Sequence, residues 1–308
     1  MARGHPDLPV SPTVRLSKMG IFAGLQRVDS DPAARARVLE MEKRFRQRVD
    51  AYVTAKARKG DPMTNPFVLM MHSRRMGYRH VAEVVRDIPA GAGFASMETE
   101  AGKMVERVTF EVFGWIIVES AMQTENTVLD AWKVDSGTLK CATLKSGPRC
   151  LNDAMSKDIG SDVAKNVIGW ATANNARAVD FSYAVIYGTP LRSNKKDWHV
   201  LRNIAEALPA GSEVLTSHKK AWAFGYSHNG VKITAAVRLG IDWWDYLGGP
   251  DTWIEVSAAF IRACIQPATD DLQVAEPVPP DFNVAILQRS QLEWLVLAAR
   301  HYCDTFVD

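Results

Sequence analysis

Apolar positions recur along the chain with two different periods, and the period separates predicted helices from predicted strands. A spacing of three or four residues predicts a helix from Asp31-Pro32 to about Gly60, with an acid at the N-cap and a proline in the first turn. Its apolar stripe consists of Val38, Met41, Phe45, Val49 and Val53. The same spacing predicts helices near 67–73, 79–87 and 96–113, whereas residues 1–28 show neither period and are expected to be irregular.

A β-hairpin is predicted where two apolar-rich runs flank a turn sequence at residues 135–137. If the last two of these residues form the loop, Asp130 lies directly opposite Thr143, and Lys145 follows on the same face of the ribbon. Charged residues are rare on an apolar hairpin unless they are paired or used in function. A cross-strand ion pair between Asp130 and Lys145 is therefore the structural alternative to a functional role.

A helix from about Asn152 to Ala173 is predicted to follow the hairpin, and a buried strand at 178–187 to follow that helix. Strand, helix and strand in this order suggest a crossover unit. The predicted buried stripe of the helix consists of Met155, Ile159, Val163, Val167 and Trp170. Asp158 then lies about 100° around the helix from Ile159, on the shoulder of the stripe.

The remaining patterns predict a helix at 198–207, a second hairpin around Asn229-Gly230, and helices at 252–264 and 288–303. Together these elements predict an α/β protein with a mixed central β-sheet, flanking helices and a helical N-terminal region. The 308 residues, 47% of them hydrophobic, suit one large domain or one domain with a helical extension.

Composition limits the cellular setting and the kinds of site. No apolar run approaches the roughly 18 residues of a membrane helix, and the N-terminus has no apolar signal core, so a cytoplasmic protein is expected. The four cysteines show no CxxC spacing, which favours reduced structural thiols over a zinc site or disulfides.

Charge is distributed unevenly although the net charge is only +2. Residues 1–60 carry a net charge of +7, and the rest of the chain carries −5. A basic arm on a slightly acidic body can follow a phosphate backbone. A solvated basic helix face, with Arg44, Arg48 and Lys56 off the apolar stripe, is the alternative.

Four features around the predicted hairpin occur in one order. They are Asp130, the Thr143-Leu-Lys145 segment, Arg149 four residues after the lysine, and Asp158 thirteen residues after it. In this order they resemble the core of the PD-(D/E)XK nuclease superfamily, with Thr143 where that family usually has a second acid. The arginine and the displaced helix acid resemble the restriction endonucleases that cut CCGG or CCNGG sites. The resemblance covers roughly residues 100–190 and implies a restriction-endonuclease-like fold.

The resemblance implies Mg²⁺-dependent cleavage of double-stranded DNA at a short palindromic, GC-rich site, as in type II restriction enzymes. Asp130 and Asp158 would be the metal ligands, since Mg²⁺ binds through one or two carboxylates and keeps several waters. Lys145 would hold the attacking water or the phosphate and stabilise developing charge. Glu106, in a Gly102-x-x-x-Glu106 pattern, would add an acid from the preceding helix.

The resemblance also assigns DNA recognition. Arg149 would recognise a guanine through O6 and N7 in the major groove. Asp153 is a candidate for the cytosine contact, because Cys150 stands where some relatives carry an acid. Other basic residues that follow later strands, and that the sequence does not separate, are Arg192, Lys195, Lys196 and Arg238.

A two-fold DNA site is most simply recognised by a two-fold dimer, so a homodimer is expected, with a tetramer as the alternative. We expect a basic helical region at 1–95 that contacts DNA or mediates dimerisation, and a catalytic domain at 96–308, unless both form one continuous domain. A DNA methyltransferase is expected in the same system. A repair or recombination nuclease and a non-catalytic DNA-binding protein are the alternative functions.

Each candidate residue also has a structural alternative. Asp158 can be an ordinary exposed helix acid, and Asp162, one turn on, is its main rival as a ligand. Asp153 suits the first turn of a helix, where the macrodipole favours acids. Glu106 can be a surface acid, and Arg149 a phosphate clamp or part of a salt bridge at the helix start.

Overall fold

The computed structural model describes residues 6–54, 66–87, 94–119, 128–268 and 285–308. The predicted end of the helix near Gly60, Lys56 and the predicted loop at 89–93 lie outside these ranges. No helix within them combines the length and the apolar content that crossing a membrane requires.

The helices are α1 (Lys18–Ser30), α2 (Pro32–Thr54), α3 (Pro66–Met76), α4 (Val81–Asp87), α5 (Phe94–Val112), α6 (Asp153–Ala173), α7 (Lys196–Glu206), α8 (Ile241–Gly248), α9 (Thr252–Cys264) and α10 (Arg289–Ala299). The strands are β1 (Arg15–Ser17), β2 (Ile116–Ile117), β3 (Ala131–Asp135), β4 (Thr138–Lys145), β5 (Ala178–Val185), β6 (Glu213–Thr216), β7 (Ala223–His228), β8 (Val231–Leu239) and β9 (Thr305–Val307).

One compact unit, unit 1, comprises Met1–Thr13 and Gly114–Trp243. Its seven-stranded sheet has the order β2-β3-β4-β5-β8-β7-β6. The three central strands β4, β5 and β8 are parallel, and the pairs outside them are antiparallel. The prediction of an α/β protein with a mixed central sheet and flanking helices is confirmed at this level. The predicted crossover is also confirmed, because β4 and β5 are parallel and α6 connects them.

Helix α6 begins where the sequence predicts, because the Asn152 side chain caps it by accepting the Met155 amide at 2.9 Å. The predicted buried stripe is wrong at Met155, which is 41% exposed. The buried face is rotated because α6 packs against α7 as well as against the sheet. Gly160 permits this approach, since a Cβ there would lie 2.5 Å from Asn203 Cβ. Helix–helix packing thus decides which side of α6 is exposed.

Unit 2 comprises Val14–Phe113 and Trp244–Asp308. The apolar stripe predicted for α2 is confirmed at Val38, Met41, Phe45 and Val49, which are all buried, whereas Val53 at its end is only half-buried. Helix α2 packs against α9, with the Phe45 and Phe260 rings in edge contact at 4.8 Å.

The expectation of an irregular segment at 1–28 is wrong from residue 15 onward. Strand β1 and helix α1 lie there, and the Ser17 hydroxyl caps α1 by accepting the Gly20 amide at 3.1 Å. Strand β1 has only three residues and pairs with β9 at the other end of the chain, so no local pattern indicates it. Strands β2 and β6 and helix α8 were also not predicted from the sequence.

Both units are discontinuous in sequence, since the chain enters unit 2 at residue 14, leaves it after 113 and returns at 244. Compactness does not assign a role to either unit. The functional division into 1–95 and 96–308 therefore stays a prediction.

Candidate functional site

The hairpin that carries the candidate residues forms as the sequence predicts. Asp135 pairs with Thr138 across a two-residue loop. Ser136 and Gly137 have positive φ angles of 50° and 80°, as in the tight turns that match the twist of a hairpin. An ion pair of 2.8 Å between Lys140 and Asp135 braces this end of β3 and β4.

Asp130 leaves the ladder at a bend immediately before β3. The regular pairing ends with Ala131 opposite Ala142, so the predicted pairing of Asp130 with Thr143 is not part of it. Instead the Asp130 amide donates to Ala142 O at 2.9 Å, and Asp130 Oδ2 accepts the Leu144 amide at 2.6 Å. The carboxylate is thereby anchored to the end of β4.

Thr143 occupies the position of the family's second acid, and its hydroxyl serves the backbone. The side chain is buried and donates to Val128 O at 2.7 Å. This hydrogen bond fixes the segment that leads into Asp130. Any second acid of the site must therefore come from another element.

Lys145 is the last residue of β4 and is half-buried. Within the described ranges, its ammonium group forms neither a hydrogen bond nor an ion pair. The cross-strand ion pair with Asp130, which was the structural alternative, is therefore not formed. Without a carboxylate partner the ammonium can bind an anionic ligand.

Arg149 lies at the tip of a β-turn formed by residues 147–150. The Cys150 amide donates to Gly147 O, and the Gly147 amide donates to Cys150 Sγ, both at 3.3 Å. Pro148 suits the second position of such a turn. Arg149 is exposed, and its guanidinium has no hydrogen bond or ion pair to any described residue. The salt bridge at the helix start that was its structural alternative is therefore not formed.

Asp153 lies in the first turn of α6, as predicted, and is already paired. Its carboxylate accepts a hydrogen bond from Lys196 Nζ and lies 3.3 Å from His199 Nδ1. The hydrogen bond from Lys196 is the main cause that lowers the pKa of Asp153 below its usual value. A cytosine contact by Asp153 would compete with Lys196, so its recognition role stays a prediction.

Asp158 lies on the exposed side of α6 rather than on the predicted shoulder. The residues that the helix buries around it, Ser156, Ile159, Gly160, Val163 and Val167, centre on roughly the opposite side of the helical wheel. Asp162 is half-buried, and burial together with the nearby charge of Asp158 raises its pKa. Of the two acids Asp158 is the more accessible and Asp162 the closer to the packed face.

Glu106 and the basic arm belong to unit 2. Glu106 is half-buried on α5. Arg44 forms ion pairs with Glu40 at 2.7 Å and with Glu111 at 2.6 Å, and Arg48 lies 3.9 Å from Glu111. These arginines are therefore partly compensated by acids of α2 and α5, and a DNA contact by the basic arm stays a prediction. The role of Glu106 stays a prediction.

Unit 1 contains a buried acid that was not predicted from the sequence. Asp197, in the first turn of α7, is fully buried, and its Oδ2 accepts the Ser193 hydroxyl at 2.6 Å. Burial raises its pKa to about 6, although the hydrogen bond from Ser193 opposes the rise. Within the described ranges, neither Asp197 Oδ1 nor Tyr183 Oη completes a hydrogen bond of ordinary geometry. No local signal marks this acid, because first-turn acids are ordinarily exposed.

The later basic candidates divide by position. Arg238 is aligned with Ala184 and, through it, with Leu144 across the three parallel strands. Because successive residues of a strand point to opposite faces, Arg238 lies on the face of the sheet opposite to Lys145. Its guanidinium donates to Ser182 Oγ at 3.0 Å. Lys195 Nζ donates to Ser11 Oγ at 2.6 Å. Trp243 and Trp244 are fully buried.

Within the described ranges, no three His, Cys, Asp or Glu side chains converge into a group that could hold a metal ion. The candidate site at the carboxyl end of β4 consists of one anchored carboxylate, one lysine without a partner among the described residues, and one exposed arginine. Neither a protein-family model nor a curated protein sequence matches this chain.

Proposed function

We propose that this chain is a Mg²⁺-dependent endonuclease that cleaves double-stranded DNA at a short palindromic, GC-rich site, as type II restriction enzymes of the PD-(D/E)XK superfamily do. The observation that carries the proposal is the ammonium of Lys145 at the end of β4, which has no hydrogen-bond or ion-pair partner among the described residues. Asp130 is anchored to Leu144, the residue before Lys145, and Arg149 is exposed four residues after Lys145.

The position of Lys145 suits a substrate with negative charge. A lysine held by a carboxylate would have to break that ion pair before it could bind phosphate. Because Lys145 is half-buried, its charge is screened less than that of an exposed lysine. In this proposal Lys145 holds the attacking water or the scissile phosphate and stabilises the charge that develops there.

Asp130 supplies the fixed carboxylate of the proposed site. The hydrogen bond from the Leu144 amide directs the carboxylate without neutralising its charge. Its oxygens are the hard ligands that Mg²⁺ prefers, and a cation that keeps several waters and binds substrate phosphates needs only one or two such groups. Asp130 and, by the resemblance, Asp158 would hold the ion, which when bound would neutralise phosphate charge and make water more acidic.

Recognition is assigned to the turn at 147–150. An exposed arginine without a partner can form the bidentate contact to guanine O6 and N7. Arg149 follows Lys145 closely, so the base pairs it contacts would lie near the scissile phosphate. A palindromic site would require two such turns and hence a homodimer, which sedimentation velocity with and without DNA would detect.

A digestion assay tests the proposed function. Plasmid and long linear DNA are incubated with the purified chain in Mg²⁺ or in EDTA. Discrete fragments in Mg²⁺ alone are expected. A smear would indicate a nuclease without site specificity, as in repair, and DNA binding without cutting would indicate a non-catalytic binder. A neighbouring gene for a DNA methyltransferase would support the restriction interpretation.

A further inference from the structure

The turn that carries Arg149 is interlocked with the segment that follows β5. Gly147 faces Tyr187, and a Cβ at residue 147 would lie 2.8 Å from the Tyr187 hydroxyl. Pro148 faces Gly188, where a Cβ would lie 2.7 Å from Pro148 Cγ. Gly188 also has a positive φ of 99°, which disfavours any side chain. Two glycines thus leave room for the Tyr187 and Pro148 side chains to pack directly against the backbone of the opposing segment.

Asn194 completes this contact by bonding on both sides of Arg149. Its amide N–H donates to Pro148 O at 3.4 Å, and its side-chain Nδ2 donates to Leu151 O at 3.3 Å. Its Oδ1 accepts the Lys196 amide at 3.0 Å, which fixes the side chain relative to the start of α7. One asparagine therefore joins the carbonyls before and after Arg149 to the first turn of a packed helix.

We propose that Asn194 is a positioning residue for DNA recognition, which holds the 147–150 turn so that Arg149 is presented to the base edges. The inference rests on the proposed function for its consequence in DNA binding. The anchoring of the turn is independent of that function.

The physical reason is preorganisation. A bidentate arginine–guanine contact depends on direction, whereas a contact to a phosphate tolerates several approaches. Ordering a mobile turn upon binding would reduce the affinity for the correct site. A turn that is already held presents its arginine at less entropic cost. Loosening the turn should therefore reduce discrimination between sequences more than it reduces phosphate-driven binding.

The first test needs no activity. Trypsin can cleave after the exposed Arg149, and the rate of this cleavage reports local opening of the turn. In Asn194→Asp the donor to Leu151 O is lost, while an oxygen can still accept the Lys196 amide. We expect cleavage at Arg149–Cys150, identified by mass spectrometry, to become about fivefold faster, as the loss of one hydrogen bond implies.

Asn174→Ala is the matched control. It removes a side-chain hydrogen bond of the same kind, from Asn174 Nδ2 to Trp170 O at 2.9 Å, at the far end of α6. Its cleavage at Arg149 should equal that of the wild type. If Asn194→Asp and Asn174→Ala are cleaved alike, Asn194 does not hold the turn. If Asn194→Asp lowers the unfolding midpoint of the whole chain, Asn194→Ser replaces it, because serine also loses the donor to Leu151 O, adds no charge and can still accept the Lys196 amide.

The second test measures DNA. In Asn194→Asp the ratio of affinities for site-containing and scrambled duplexes should fall about fivefold, while the cleavage rate at saturating DNA stays within about twofold of the wild type. A fall in rate with an unchanged ratio would overturn the positioning role. If the wild type shows no sequence preference, the proposed function fails, and the trypsin result alone decides whether Asn194 anchors the turn.

Discussion

Individual charged residues in unit 1 differ in whether their charge is compensated. Lys140 and Lys196 are paired with Asp135 and Asp153. Lys145 has no described hydrogen-bond or ion-pair partner. Asp197 is a buried acid without an ion-pair partner among the described residues. Its hydrogen bond from Ser193 only partly offsets the effect of burial, which raises its pKa. Uncompensated charge costs folding stability, so groups of this kind are candidates for functional roles.

The role of Lys145 is testable against a lysine on the same strand. Lys145→Ala should abolish Mg²⁺-dependent cleavage and leave specific DNA binding largely intact, because the ammonium acts on the reacting phosphate. Lys140→Ala, which breaks an exposed ion pair at the turn, should cleave like the wild type. Single-turnover rates provide the measurement. A Lys145→Ala rate within about tenfold of the wild type, or ~1.4 kcal/mol of barrier, would remove Lys145 from the site.

Asp197 predicts a pH dependence of stability. Its folded pKa of about 6 is above the ordinary value of 3.8, so the folded chain retains a proton that the unfolded chain releases. The contribution of Asp197 to stability therefore falls as pH rises from about 4 to 6, by up to about 3 kcal/mol. Asp197→Asn should be more stable relative to the wild type at pH 7.5 than at pH 4.5, as measured by urea unfolding. An equal stability difference between the variant and the wild type at both pH values would contradict the raised pKa of Asp197.

At the scale of elements, helix packing decides which side of a predicted helix is buried. Helix α6 starts at the predicted cap, but its contact with α7 rotates the buried face and places Asp158 on the exposed side. Asp162 takes a position between exposed and buried. The sequence thus predicts helix α6 correctly, but it does not predict the directions in which Asp158 and Asp162 point.

The two acids of α6 can be separated by substitution. We expect Asp158→Asn to lose Mg²⁺-dependent cleavage and Asp162→Asn to retain it. A metal ligand must be accessible to the ion, and Asp158 is exposed whereas Asp162 is half-buried, with burial and the charge of Asp158 raising its pKa. Cleavage rates across Mg²⁺ concentrations provide the comparison. If Asp162→Asn is the inactive variant, the second acid reaches the site from the side of α6 near the sheet.

At the scale of the whole molecule, the basic excess of residues 1–60 does not by itself make a DNA-binding arm. In unit 2 the arginines of α2 are largely matched by acids, including Glu111 on α5 and Glu255 on α9. In unit 1 the exposed Arg149 has no such match among the described residues. The proposed function therefore assigns DNA recognition to the turn at 147–150 rather than to α2.

Two arginines should differ in what they contribute to DNA binding. Arg149→Ala should collapse the ratio of specific to non-specific affinity, because a bidentate guanine contact provides about 1–3 kcal/mol of discrimination. Arg48→Ala should leave that ratio nearly unchanged, since a phosphate contact affects both duplexes alike and changes the salt slope by about one unit. Titrations on two duplexes at two salt concentrations test this. Equal losses on both duplexes for Arg149→Ala would make it a phosphate clamp.

Local patterns were sufficient for the elements that carry their own signals. The turn at 135–137, the cap at Asn152 and the apolar stripe of α2 depend on residues within a few positions of each other, and all three are confirmed. The pairing of β1 with β9 joins opposite ends of the chain, and nothing nearby in sequence specifies it. The same holds for the burial of Asp197, because the environment of a side chain is assembled from distant segments.

The sequence by itself determined the order of strand, helix and strand around Lys145, and the place of Asp130 and Arg149 on either side of it. Hydrophobic periodicity and turn chemistry act over short distances, which is why they suffice for this. Only the tertiary structure decided that Asp130 bends out of the ladder to accept the Leu144 amide, that Lys145 has no described partner and that Asn194 brackets the Arg149 turn. These features depend on the relative placement of segments far apart in the chain, which packing and hydrogen bonding between elements establish.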